Sequence, residues 1–368
     1  MSRPFKIALA CGGTGGHIFP GLATAHVLRE RGHDVEIYLA GKDIEADAVA
    51  GWEGTKYVVK AQGFQSKNPF AILKTLYGLR LARKRCRKLM KKQKPDVLLG
   101  MGSYACVGPA RAAFGLDVPV VLHEANVVPG RAVSHLARDA SAVAAFFDET
   151  SHYLQKSDLK ITGMPIRPEL WTAAQKAATR GKDAGRPFTL LVMGGSRGST
   201  PLNRLVSTSL IELARIRQDF FVIHLTGHKD EPMIRDLYER HSIPAKVSAF
   251  TSDMASIYRA ADLTICRSGA ASCAELMAFG VPSLLVPLPH AVRDHQTFNA
   301  KAMERIGCAD FVPESDLDST WLTEYIDGCM HTPDRLNRMT EAARRRAQVS
   351  GAERLADLVV KIAEDYVG

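Results

Sequence analysis

Short apolar runs alternating with helical patterns along nearly all of the 368 residues predict an α/β protein built from two doubly wound, parallel-sheet domains. Two observations give the count of two. The length suits two cores better than one. The opening "PFKIALACGGTGGHIFPGLATAHVL" (4–28) is also echoed by "PFTLLVMGGSRGSTPLNRLVSTSL" (187–210), each reading Pro, Phe, strand, glycine loop, helix. The expected domains are residues 1–163 and 164–345, with a segment 346–368 packing back on the first. Ligands of open parallel sheets bind beyond the carboxyl ends of the strands, so the two sheets are expected to face a central cleft there.

In the first domain the predicted strands are "KIALA" (6–10), "DVEIYLA" (34–40), "DVLLGMG" (96–102), "PVVLHE" (119–124) and "AVAAF" (142–146), with helices between them. Residues 171–187 are polar and rich in Lys, Gly and Ala, and read as a surface excursion after a linker. The second domain continues with "FFVIHLTG" (220–227), "AKVSAF" (245–250), "DLTICRSG" (262–269) and "SLLVPLP" (283–289). The chain closes on an amphipathic helical pattern, "AERLADLVVKIAEDYVG".

Net charge is +9, but its placement says more than its size. Eleven Lys or Arg and no Asp or Glu lie between Lys67 and Lys94, so the rest of the chain is slightly acidic. Phe70, Ile72, Leu73, Leu76, Tyr77 and Leu79 precede the densest cations, which include Lys84, Arg85, Lys88 and Lys91. Apolar side chains beside clustered cations suit an anionic membrane surface. A solvated helix face ranks second. Nucleic acid is not expected, because no recognition motif or stacking platform accompanies the charge. The N-terminus lacks a signal-peptide pattern and no apolar run is long enough to span a bilayer, which predicts a cytoplasmic protein. Seven scattered cysteines without a C-x-x-C pair argue against disulfides and zinc. Asp316 and Asp318, a D-x-D pair without glycine or strand context, read as surface, so no metal and no cofactor is expected.

Each strand-end loop offers particular chemistry. "GGTGGH" opens a helix whose unpaired N–H groups and positive dipole end suit a phosphate or diphosphate, with His17 placed as a base or a packing histidine. "GGSRGS" (194–199) is a second such loop, offering Ser196 and Arg197 to an anion, and "GMGSY" (100–104) is a weaker third. "RSGAAS" begins a helix with small residues followed by Glu275, a carboxylate suited to ribose hydroxyls or simply to a helix start. "PHAVRDHQTFNA" (289–300) gathers Asp294, His295, Gln296 and Asn299, hydrogen-bonders that suit a sugar. The dinucleotide fingerprint G-x-G-x-x-G is not met and no Walker lysine is present, which lowers the dehydrogenase and P-loop alternatives.

On "GGTGGHIFPGLA", "PDVLLGMGSY", "VVLHEANVVPGRA", "MGGSRGS" and "CRSGAASCAELMAFGVPSLLVPLPHAVRDHQTFNA", in this order across nearly the whole chain, the sequence resembles the MurG family of glycosyltransferases. That resemblance implies a GT-B fold and inverting transfer of N-acetylglucosamine from UDP-GlcNAc to the C4 hydroxyl of the muramoyl sugar in lipid I, giving lipid II and UDP. It implies His17 as the base, with Thr14, Gly15 and Gly16 near the donor sugar and acceptor diphosphate and Asn126 on the sugar. It further implies Arg167 and Ser196 at the donor diphosphate, Thr251 at uracil, and Ala270, Ala271, Ser272, Cys273, Ala274 and Glu275 framing the nucleotide, with Glu275 on the ribose. Gln296 and Asn299 would read the sugar hydroxyls, and Phe70, Leu73, Leu76 and the basic helix would rest on the cytoplasmic face of the cell membrane, near other cell-wall synthesis proteins. The chain departs from the family pattern at Ala125, Met164 and Arg197, where amide side chains are usual. The rival expectations are a UDP-GlcNAc 2-epimerase of the same architecture and a non-catalytic UDP-sugar-binding protein at the membrane surface.

Overall fold

The computed structural model describes residues 3–61, 68–179, 185–195 and 197–367, which form two compact units. The first unit, Met1–Arg167 with Val349–Gly368, begins β1 (Lys6–Ala10), α1 (Gly15–Glu30), β2 (Asp34–Leu39), α2 (Asp43–Ala48), β3 (Lys56–Val58) and α3 (Pro69–Gln93). It continues β4 (Val97–Gly100), α4 (Val107–Phe114), β5 (Val120–Glu124), α5 (Arg131–Leu136), β6 (Ala142–Ala145) and β7 (Leu159–Ile161). The second unit, Pro168–Gln348, contains α6 (Pro168–Thr179), β8 (Phe188–Met193), α7 (Thr200–Ala214), β9 (Phe220–Leu225), α8 (Glu231–Arg240), β10 (Ala245–Ser248) and α9 (Met254–Ala260). Then follow β11 (Leu263–Cys266), α10 (Ala270–Phe279), β12 (Ser283–Leu285), α11 (His295–Ile306), β13 (Ala309–Phe311), α12 (Ser319–His331) and α13 (Pro333–Arg346). The last helix, α14 (Gly351–Val367), belongs to the first unit.

Both sheets are parallel throughout, ordered β3-β2-β1-β4-β5-β6-β7 and β10-β9-β8-β11-β12-β13. Each winding reverses beside its first strand, between β1 and β4 and between β8 and β11. That reversal opens a crevice at the carboxyl ends, where chain crossings do not cover the sheet.

Alternation along β1 divides the first core. Ile7 and Leu9 pack with Ile18, Leu22 and Leu28 of α1 and with Leu355 and Val359 of α14. Ala8 and Ala10 face the opposite side with Cys86 and Met90 of α3 and Ala110 of α4. The start of α14 fits closely: a Cβ on Gly351 would stand 2.5 Å from the Met164 carbonyl. In the second unit Leu190, Val192 and Ile265 pack with Leu202 and Val206 of α7 and Leu322 of α12.

The sequence reading omits β3, β7 and β13, each three residues long at a sheet edge, where too few positions alternate to leave a pattern. It also needs correction over 171–179: Pro168–Thr179 is helical, with Leu170 and Ala174, one turn apart, buried, while 180–184 lie outside the described residues. Asp318 is the N-cap of α12, accepting from the Trp321 N–H at 2.8 Å. All seven cysteines are buried free thiols, and burial pushes Cys11, Cys86, Cys106, Cys266 and Cys308 up to about 12.

Helix α3 begins with Asn68 accepting from the Phe70 N–H and Pro69 in the first turn. Its inner face is narrow, with Ala82, Cys86 and Met90 buried, and Ala82 approaches α4 so closely that a Cβ on Gly108 would stand 2.9 Å from its own. Outward, Phe70 is 82% exposed, Leu73 62%, Leu76 50% and Tyr77 64%, and Lys84, Arg85, Lys88 and Lys91 follow on the solvent side. Among the described residues no helix is long and apolar enough to cross a membrane.

Leu355→Ala tests the attachment of α14. Leu355 is fully buried in the first core, so its truncation is expected to lower stability by about 2–5 kcal/mol in equilibrium urea unfolding. A loss below about 1 kcal/mol would mark α14 as a loosely held tail.

Candidate active site

In the first unit the site begins at the loop from β1 to α1. Gly12 lets two backbones meet, since a Cβ there would lie 2.6 Å from the Ala40 amide nitrogen. Gly13 takes a φ of +115°, which side chains with a Cβ rarely adopt. Thr14 is the extended N-cap residue, yet its hydroxyl does not cap: Oγ1 lies 2.8 Å from His17 Nδ1. The N–H groups of His17 and Ile18 both bond to the Thr14 carbonyl, leaving Gly15 and Gly16 as first-turn donors with no carbonyl one turn back.

The β4 loop packs against this turn. Gly102 has φ +83°, and a Cβ on it would stand 3.5 Å from His17 Nε2, so the imidazole rests against bare backbone. Burial lowers His17 to about 4, leaving a neutral ring at physiological pH. Behind it His123, likewise lowered to about 4 by burial, lies with Nε2 3.3 Å from the Gly163 carbonyl. Glu124, at the end of β5, accepts from the Gly130 N–H at 2.8 Å and from the Asn126 backbone and side-chain amides at 3.0 and 3.2 Å. Burial raises this carboxyl while those N–H groups oppose the rise. Arg167 joins the cluster through Phe19, with its guanidinium carbon 5.8 Å from the ring centroid.

The second unit builds a parallel site. In the β8–α7 loop a Cβ on Gly198 would stand 2.0 Å from the Thr226 carbonyl oxygen, and one on Gly227 2.5 Å from that of Arg197. Beneath these nested turns Asn203 donates to the Thr226 carbonyl at 2.9 Å and to Asp230 at 2.8 Å. With both amide protons so placed, Asn203 Oδ1 accepts from His224 Nε2 at 3.1 Å, and His224 Nδ1 accepts from Tyr238 at 2.8 Å. Ser196 lies outside the described residues.

Arg267 ties the loops of this unit together. It donates to Ser199 at 2.6 Å and to the Val286 and Pro287 carbonyls at 3.2 and 2.9 Å, and pairs with Glu314. Ser268 then donates to the Gln296 carbonyl at 2.8 Å, and Gln296 Oε1 accepts from the Leu288 N–H at 2.9 Å, closing a loop in which His290, Arg293 and Asp294 all have positive φ. Asn299 is fully buried with its amide on the Ser268 carbonyl, a position from which it braces the turn. Cys273 and Ala274 are also buried, pointing into the core, whereas Ala270, Ala271, Ser272 and Glu275 retain exposure at the start of α10. Glu275 accepts from the Tyr258 hydroxyl at 2.8 Å, and Thr251 accepts from the Asp253 N–H at 3.1 Å just before α9.

Sequence reasoning thus names the loops but misses their supports: Glu124, Asn203 and Arg267. Only a polar residue placed where a strand or helix ought to be apolar could have signalled them. A separate cavity of about 830 Å³, lined by Arg186, Phe188, Tyr258, Phe279, Leu336 and Arg344, opens near the amino ends of the second unit's strands, away from the glycine loop. Among the described residues no group of three His, Cys, Asp or Glu converges as a metal site.

Comparison with known proteins agrees with this architecture. Residues 7–145 match the glycosyltransferase family 28 N-terminal domain and residues 189–358 its C-terminal domain. The UDP-N-acetylglucosamine--N-acetylmuramyl-(pentapeptide) pyrophosphoryl-undecaprenol N-acetylglucosamine transferase of Pseudomonas putida is 36% identical over 360 residues, 97% of this chain and 98% of that protein. The crystal structure of Acinetobacter baumannii MurG superposes with a TM-score of 0.79 at 29% identity, over 97% of this chain and all of that one. A UDP-GlcNAc 2-epimerase from Neisseria meningitidis, 12% identical with a TM-score of 0.70 over 97% of this chain and all of that one, shares the fold alone. Two parallel sheets of matching strand order, two glycine loops at their switch points and these full-length likenesses lead to one statement: the chain belongs to glycosyltransferase family 28, with the GT-B fold.

Proposed function

We propose that this chain transfers N-acetylglucosamine from UDP-GlcNAc to the C4 hydroxyl of the N-acetylmuramoyl sugar of lipid I, inverting the anomeric centre and releasing lipid II and UDP. The observation that carries this reading is a neutral His17 at the first turn of α1, with Nδ1 against Thr14 and Nε2 beside Gly102. The N-acetylglucosamine transferases to which the chain is similar support the choice of substrates.

In this scheme His17 Nδ1–H donates a hydrogen bond to Thr14 Oγ1, so Nε2 keeps its lone pair and takes the proton of the attacking hydroxyl. That hydroxyl oxygen bonds the anomeric carbon as the bond from this carbon to the β-phosphate oxygen breaks, and the electron pair leaves with UDP. Thr14, Gly15 and Gly16 lie near the donor sugar and acceptor diphosphate in this scheme, and Asn126 bonds the sugar. Arg167 and Ser196 contact the donor diphosphate or its surroundings, where preorganised donors contribute most. Residues Ala270–Glu275 frame the nucleotide with Glu275 on the ribose, and Thr251 meets uracil through its backbone. Gln296 reads the sugar hydroxyls, with Asn299 holding the turn beneath it.

The second part of the proposal is peripheral attachment at the cytoplasmic face of the cell membrane, beside other cell-wall synthesis proteins. Support comes from α3, whose exposed Phe70, Leu73, Leu76 and Tyr77 precede exposed cations along one helix.

UDP release is expected to require a lipid I analogue and to yield a disaccharide product. Conversion of UDP-GlcNAc without acceptor would turn the reading to an epimerase, and binding without turnover to a binding protein. His17→Ala is expected to lower kcat by about 10²–10⁴-fold while UDP binding, measured by calorimetry, changes little; equal losses in both would mark a structural histidine. Because His17 is neutral above about 4, kcat/KM should show no inflection near the ordinary histidine value of about 6.5 and should fall only as the pH approaches 4. Charge reversal at Lys84, Arg85, Lys88 and Lys91 is expected to abolish sedimentation with anionic vesicles, and undiminished sedimentation would discard membrane docking.

A further inference from the structure

We infer that Glu45 is a positioning residue for the transfer reaction, acting with Ser103 to clamp the peptide plane between Gly12 and Gly13 and so to set Thr14 and His17. The inference rests on the assignment of His17 as base.

Glu45 is 1% exposed. It stands in the first turn of α2, where a carboxylate ordinarily reaches back to the N–H groups preceding its own helix. Oε2 does this, accepting from Gly41 at 2.7 Å and from Lys42 at 3.2 Å. Oε1 does something a helix cap does not require: it crosses to another loop and accepts from the Gly13 N–H at 2.7 Å. Among the described residues no Lys or Arg forms an ion pair with Glu45, so this buried carboxyl group is met by three backbone N–H groups.

The carbonyl of the same peptide unit is held as well. Ser103 donates from Oγ to the Gly12 oxygen at 2.7 Å, and its own φ of +59° keeps the hydroxyl aimed there. Both polar groups of one peptide plane are therefore engaged, the N–H by Glu45 and the C=O by Ser103. A glycine pair is the place in a chain where a peptide plane turns over most easily, since neither residue has a Cβ to oppose it. Turning it over would break both bonds and so unpin the turn that carries Thr14 and the Thr14–His17 contact. Gly12 is also cut to this arrangement, because a Cβ there would lie 2.8 Å from Glu45 Oε1. The Gly13 N–H is thereby withdrawn from the donors that could meet a ligand, and the contacts of this turn to substrate fall to Thr14, Gly15 and Gly16.

Glu45→Gln retains the size of the side chain but has a single acceptor oxygen, so it can serve Gly13 or Gly41 and not both. It is expected to lower kcat per folded molecule by about 10- to 100-fold, as a small displacement of a reacting group does, with the KM for UDP-GlcNAc within about two-fold of wild type. Ser103→Ala should act in the same direction, and the double variant should lose less than the product of the two single losses, since both act on one peptide plane. Glu36→Gln is the control: Glu36 is 2% exposed and paired with Lys6 at 3.0 Å, so it reports loss of a buried acid in the same unit without touching the loop. Wild-type kcat per folded molecule in Glu45→Gln, or an equal loss in Glu36→Gln, would overturn the inference. His17→Ala, assayed beside them, keeps the two readings apart: rapid turnover there removes the base assignment, whereas slow turnover there with an unimpaired Glu45→Gln removes only the clamp.

Discussion

Close approach of backbone to backbone is the constraint on which both candidate ligand loops depend. The first places Gly12 where a Cβ would stand 2.6 Å from the Ala40 nitrogen, and the second places Gly198 where it would stand 2.0 Å from the Thr226 oxygen. Loops this close cannot be separated by side-chain packing, so each is aligned by hydrogen bonds from beneath. In the first unit a carboxylate and a hydroxyl do this work; in the second, a buried amide and a guanidinium. The two units thus meet the same geometric demand with different chemistry, even though their sheets share one winding pattern.

Burial also decides the charge states around these loops. His17, His123 and His224 are each held well below the usual histidine range by desolvation, so the imidazoles act as neutral hydrogen-bonding rings and add no cation around these loops. The positive character comes instead from helix ends, and from Arg167 in the first unit, where Phe19 supplies a ring face without neutralising the charge. Arg267 is different: its charge is balanced by Glu314, which makes it a brace between loops more than a free anion partner.

Much of the fold was legible because its signal is periodic or repeated. Strand, glycine loop and helix occur twice in the same order, and long apolar strands at the sheet centres stand out from their surroundings. Edge strands of three residues have no such signal, and α6 hides two buried residues in a polar stretch. Among the candidate site residues, His17 and Glu275 could be named because they sit beside glycine or small-residue motifs. Glu45, Asn203 and Arg267 could not, because each acts through a partner distant in sequence, as Glu45 does on Gly13 across 32 residues. The buried position of Asn299 likewise belongs to tertiary structure: its spacing from Gln296 is visible in the sequence, whereas the bond to Ser268 across 31 residues is not.

The buried cysteines have a practical consequence for spectroscopy. All seven are enclosed, and the five whose thiols burial pushes up to about 12 present almost no thiolate at neutral pH, so the folded protein should react slowly with maleimides. A single cysteine introduced on the outer face of α3 or near the start of α10 would then be the fast-reacting thiol in the wild-type background. The chain can carry a site-specific fluorophore or spin label without first being stripped of its native thiols, which preserves the packing those seven side chains provide.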